Sequence, residues 1–132
     1  MSSRFRFSGF TFETSDAGGC AATVTLERPP GKTFKGAATE GPTGSRLRCA
    51  ATATLAALET AVARAVAFEL LGIKAIRAFD TTVIIVAISA KQDRKVQRLV
   101  GSCLSVVSPE HSAAIAVLNA TNRFLGSSLH DH

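Results

Sequence analysis

The chain has 132 residues, 46% of them apolar, which is enough to bury one core and too few for two independent ones. Fifteen Lys and Arg against ten Asp and Glu give a formal charge of +5, which permits contact with anions without naming one. No apolar run approaches the roughly 20 residues of a membrane helix, and the N-terminus MSSRFRFSGF lacks the apolar segment and cleavage site of a secretion signal. The expectation is a single cytoplasmic domain over residues 1–132.

Residues 4–13 alternate as a half-buried strand, with Phe5 and Phe7 on one side of Gly9 and Phe10 and Phe12 on the other. The alternation slips by one register at that glycine, as a β-bulge requires. The polar stretch 14–19 turns the chain. Ala22, Val24 and Leu26 then alternate with polar residues in a second strand over 20–27. After the turn RPPGK, residues 33–39 form a third strand whose small residues Gly36 and Ala38 leave room for a closely packed helix.

Residues 40–65 read as a turn leading into a long helix. Leu47, Ala51, Leu55, Leu58, Val62 and Ala65 form one apolar stripe, so the helix has one face to bury. The order then repeats. The kinked strand 66–76 carries Phe68 and Leu70, then Gly72, then Ile73 and Ala75; residues 82–89 are strongly β-branched; residues 96–107 contain Gly101. In the closing segment 108–126, Ala114, Leu118, Thr121 and Leu125 make a shorter stripe, Ser108 can cap, Pro109 suits the first turn and Gly126 is the expected terminator. A shift of 63 residues lays Gly9 on Gly72 and Ala53, Leu55 and Ala57 on Ala116, Leu118 and Ala120.

The predicted fold is therefore α+β, two βββα units (4–65 and 66–126) related by a pseudo-twofold axis, with antiparallel sheets packed on two helices and a polar tail at 127–132. Gly36 and Gly101 are 65 apart, and a longer second hairpin loop is the expected cause. Leftover sheet edges and helix faces point to a homodimer.

The chemistry-bearing residues are few. Cys20, Cys49 and Cys103 have no CxxC spacing, which argues against a disulfide framework or zinc site and for small core residues. His130 and His132 lie in the tail, so no metal and no cofactor are expected. All eight aromatic residues are Phe, which favours a core role. Cys103 with His111 is the one imaginable thiol and base, yet Cys103 falls in an apolar strand; GxSxG, HExxH and P-loop patterns are absent, and an enzyme is not expected. The basic stretches 28–35 and 91–98 read as hairpin loops, without the interleaved aromatics a nucleic-acid surface needs.

Two turns, GPTGS and VSPE, feed helix N-termini, where free amides and the helix dipole favour a carboxylate or phosphate. Ser45 and Ser108 either cap their helices or join Gly41, Pro42 and Thr43 as the wall of a pocket for a small carboxylate metabolite.

The doubled βββα order, the strand Ala22 to Leu26, the turn Glu40-Gly41-Pro42 before an alanine-rich helix, and the run Leu118-Asn119-Ala120-Thr121-Asn122-Arg123 resemble the C-terminal regulatory domain of 2-isopropylmalate synthase and citramalate synthase. The resemblance covers most of residues 4–125. It implies a non-catalytic, allosteric, dimerising domain that binds a small metabolite and acts on a partner enzyme, since the catalytic barrel of those synthases has no counterpart here. The family turn reads G-x-G-P, then a small apolar residue, an acidic residue and alanine; here Thr39 replaces the first glycine and Gly44 the acid. The second half offers Val107-Ser108-Pro109-Glu110 where the family carries an aspartate. Two other functions fit the composition: an interaction module docking through Leu55 and Leu58, and a polyanion binder using Lys32, Lys91 and Arg94.

Overall fold

The computed structural model describes residues 5–28, 31–106 and 108–130, the side chains of 123 and 125–130 excepted. In chain order the elements are β1 (Arg6–Thr14), β2 (Cys20–Arg28), β3 (Lys32–Glu40), α1 (Arg46–Ala61), β4 (Ala67–Ala78), β5 (Thr81–Gln92), β6 (Lys95–Leu104) and α2 (Pro109–His130). The strands form two antiparallel sheets, β1-β2-β3 and β4-β5-β6, each followed by its helix. This is the duplicated βββα order of an α+β fold.

The two halves match row by row. Both bulges fall where the alternation slips, between Phe7 and Gly9 in β1 and between Leu70 and Gly72 in β4. Across the sheets, Phe10, Val24 and Gly36 form one row, and Ile73, Val86 and Gly101 form its counterpart. These rows face the helices, which is why Val24 and Val86 are fully buried. A side-chain carbon on Gly36 would lie 2.2 Å from the Ala57 amide nitrogen and 2.4 Å from the Ala53 carbonyl oxygen. On Gly101 it would lie 2.3 Å from the Ala116 carbonyl oxygen and 2.6 Å from the Ala120 amide nitrogen. Glycine on the third strand and alanine on the helix thus bring backbone against backbone in both halves.

Each helix also reaches into the other half. Glu59 of α1 accepts the Phe68 amide of the β4 segment at 2.7 Å. Asn122 of α2, 63 residues later, accepts the Phe5 amide at 3.1 Å and donates to the Phe5 carbonyl at 3.2 Å. Because the helices lie against each other as well as on their own sheets, and α1 also packs on β4, burial extends well round each cylinder. Cys49, Ala50, Ala53, Thr54 and Ala57 are buried along with Ala51, Leu55 and Leu58, so α1 buries more than the one expected face. Alanine made the second face invisible, since its small side chain contributes little to a hydrophobic stripe.

Other expectations are corrected. The 65-residue separation of Gly36 and Gly101 does not come from a longer loop. Pairing in the first hairpin closes at Arg28 and Lys32, whereas in the second it continues to Gln92 and Lys95, leaving only Asp93 and Arg94 between. The strand arms are longer and the loop shorter, so Lys91 and Arg98 are strand residues. The helix α1 stops at Ala61, and Ala63 and Arg64 take left-handed conformations (φ 53° and 62°) that turn the chain into β4, leaving Ala65 exposed outside the helix. Gly126 stands at the position equivalent to Ala63, yet α2 runs through it to His130, overriding both the expected stop and the start of the polar tail. A helix-interior glycine costs only about 1 kcal/mol, and among the described residues no strand follows α2 to demand a turn. Arg4, Val107, Asp131 and His132 lie outside the described residues.

Candidate functional site

The turn ahead of α1 is closed by a hydrogen bond from the Gly44 amide to the Gly41 carbonyl at 2.9 Å. Gly41, Pro42 and Thr43 are exposed on it. Ser45 is the N-cap, its hydroxyl accepting the Arg48 amide at 3.2 Å. Ser108 does the same for α2, accepting the His111 amide at 3.1 Å. Both hydroxyls are therefore engaged as caps, each satisfying an amide that the helix leaves free.

Pro42 leans on the β1–β2 turn: a side-chain carbon on Gly18, whose φ is 94°, would meet the Pro42 ring at 3.3 Å. At this end of the first sheet lies an open cleft of about 350 Å³ walled by Glu13, Ser15, Cys20, Thr39 and Glu40 among others. Glu40 also folds over Gly44, where a side-chain carbon would come within 2.3 Å of its Oε1. Of the five expected wall residues, none lines this cleft; its floor begins one residue earlier, at Glu40. Glu13 and Glu40 reach the cleft from the two edge strands in adjacent rows, Glu13 with Ala21 and Thr39 on the outward face and Glu40 with Cys20 on the inward one, so each carboxylate stands alone. Sequence reading missed Glu13 because its place follows only from the register that the Gly9 bulge sets.

Cys20 and Cys49 are buried beneath the cleft, and Cys103 is half-buried on β6. The Cys49 thiol faces the Ala38 carbonyl at 3.4 Å. Burial, with the Cys20 thiol and Glu40 beside it, pushes Cys49 up from 9.0 to about 12. Cys103 and His111 are not assembled into a pair. The Cys103 thiol points to the Leu104 carbonyl at 3.3 Å, and His111 sits between the rings of Phe7 and Phe10, with centroids 5.7 and 5.5 Å away. Among the described residues no three His, Cys, Asp or Glu side chains converge as a metal site.

The outward faces of the two sheets differ. On the first, equivalent positions carry Thr11, Thr23, Thr25, Lys35 and Thr39, and Arg6 pairs with Glu27 at 3.1 Å. On the second they carry Lys74, Ile85, Ala87, Val100 and Leu104. Val100 is 65% exposed and Leu104 54%. A hollow of about 350 Å³ opens on this face beside Gly72, bounded by Lys74, Ile76, Ile85, Ala87 and Arg48. Phe79, expected in the core, is 98% exposed in the β4–β5 turn, where it and Asp80 have φ of 54° and 60°. A two-residue hairpin of this kind needs two left-handed residues and leaves the first side chain outside the sheet. Leu55 and Leu58, by contrast, are in the core and offer nothing to a partner.

No protein-family model and no curated protein matches this chain. The fold defines it as an α+β protein of two βββα units, and among the described residues no helix is long and apolar enough to cross a membrane.

Proposed function

We propose that this protein is a non-catalytic regulatory module, similar to the allosteric domain of 2-isopropylmalate synthase, that works as a homodimer, binds a small metabolite and acts on a separate enzyme. The observation that carries the reading is the cleft beside the Glu40–Ser45 turn, set in a doubled βββα frame. Its volume, about 350 Å³, suits a small molecule. Glu40, where the cleft meets the turn, gives it a preference that the turn alone lacks. A ligand with an ammonium group beside Glu40 fits this cleft, so amino acids are favoured over the corresponding 2-oxo acids.

Thermal unfolding against branched-chain and other amino acids, 2-oxo acids and acyl-CoA compounds tests this. A ligand at 100 times its dissociation constant adds roughly 2.7 kcal/mol, several degrees in a chain of this size. The expected result is a shift with amino acids that disappears in Glu40→Gln. A flat panel overturns the ligand part of the reading.

A further inference from the structure

We propose that the outward face of the second sheet is covered by a second copy of this chain, sheet against sheet about a twofold axis running along β5. The inference gives a surface to the dimer proposed above and rests on that part of the reading, not on its ligand.

The duplication supplies an internal control. Corresponding rows of the two sheets are Gly9, Thr25 and Lys35 against Gly72, Ala87 and Val100; Thr11, Thr23 and Ala37 against Lys74, Ile85 and Ser102; and Glu13, Ala21 and Thr39 against Ile76, Val83 and Leu104. The first sheet shows that the fold is content with a polar outward face. Ile76, Val83, Ile85, Val100 and Leu104 are thus not demanded by the fold, and an exposed apolar face of this kind marks an interaction surface.

The area suffices. Strands of 12, 12 and 10 residues, about 4.8 Å apart with about 3.3 Å per residue, present roughly 500 Å² in plan. Two such faces bury roughly 1,000 Å² or more once side-chain relief is counted, which reaches the threshold for a specific interface.

The pattern is also self-complementary about that axis, which lays β4 of one copy over β6 of the other at equal height. Ile76 then faces the partner copy's Leu104 position, and the Val100 position lies over the hollow at Gly72, where a side-chain carbon would meet nothing within 4 Å. Glu69 and Arg98, which flank Ser89 in one row, come to face each other across the interface. Lys74 faces the small polar Ser102. On β5 itself Val83, Ile85, Ala87 and Ser89 meet their own copies; Lys91 is the one charged residue that does so, at the end of the axis, where its exposed side chain can turn out to solvent. An axis across the strands would instead lay apolar rows on the charged row.

Sedimentation equilibrium over a wide concentration range, with far-ultraviolet circular dichroism as the fold control, tests the proposal. Val100→Glu buries a charge on each side of the axis and is expected to weaken self-association about a hundredfold or more, while Thr23→Glu on the first sheet leaves it unchanged. Gly72→Val fills the hollow and is expected to weaken it as well. Glu69→Arg and Arg98→Glu should each weaken the dimer, and the two together should restore it. A wild-type protein that stays monomeric overturns both the face and the dimer. A dimer indifferent to all four changes overturns the face alone and leaves the dimer standing on another surface.

Discussion

Single atoms decide much of this structure. At Gly36 an added methyl would meet the backbone of α1, which cannot move aside as a side chain would. Gly36→Ala should therefore destabilise by about 3 kcal/mol or more, the upper end of overpacking costs, and Gly101→Ala by a similar amount. Gly72→Ala, facing open space, should change stability by well under about 1 kcal/mol. Urea unfolding of the three variants checks the contrast, and equal effects would contradict the close helix approach. The Cys49 thiol makes a second, pH-dependent statement. Its value is raised from 9.0 to about 12 by burial and its neighbours, so the folded state disfavours the thiolate. That contribution is fully present below about pH 9, the unfolded value, and is lost progressively as pH rises towards 12. In native protein at neutral pH an alkylating reagent should reach Cys103 and spare Cys20 and Cys49, all three reacting after unfolding. Fast native labelling of Cys49 would show that the core opens locally.

Among the elements, most of the order was legible in the sequence because each signal had a backbone cause. The slip at Gly9 and again at Gly72 forces a bulge, and glycine on the third strand opposite alanine on a helix signals close packing. What stayed hidden has a physical reason in each case. An alanine-rich α1 conceals its second buried face because alanine is indifferent to burial. The arms of β5 and β6 lengthen without any change of composition, so Lys91 and Arg98 passed as loop residues. The cleft wall is assembled by register from Glu13 and Glu40, 27 residues apart in sequence, and nothing local pairs them. Phe79 reads as core by its chemistry, yet the hairpin geometry puts it outside. The caps make the element scale testable: Ser45→Ala and Ser108→Ala should each cost about 1 kcal/mol, measured by thermal unfolding. The left-handed Ala63 offers the opposite sign, since Ala63→Gly removes a backbone penalty of about 1 kcal/mol and should raise the melting temperature slightly.

For the whole molecule, two reciprocal contacts tie each half to the other. Glu59 holds the start of the second unit, and Asn122 holds the start of the first. The hydrophobic cluster runs without a break from Phe5 and Leu26 through Leu58 and Val66 to Ile88 and Leu118. Neither three-stranded sheet can open while its helix remains packed against the other helix, so the halves should unfold as one. Asn122→Ala leaves the buried Phe5 amide without a partner and should cost about 1–3 kcal/mol. Glu59→Ala acts on the half-buried Phe68 amide and should cost less. The informative outcome is the shape of the transition. In calorimetry each variant should show one peak, shifted down, with calorimetric and van't Hoff enthalpies equal. Two resolved peaks in Asn122→Ala would mean that the units are stable apart and that the shared core is not what couples them. A single peak would also bear on the regulation proposed above: in a molecule that opens only as a unit, a ligand bound near Glu40 would stabilise the second sheet as much as the first, and with it the face that carries Val100.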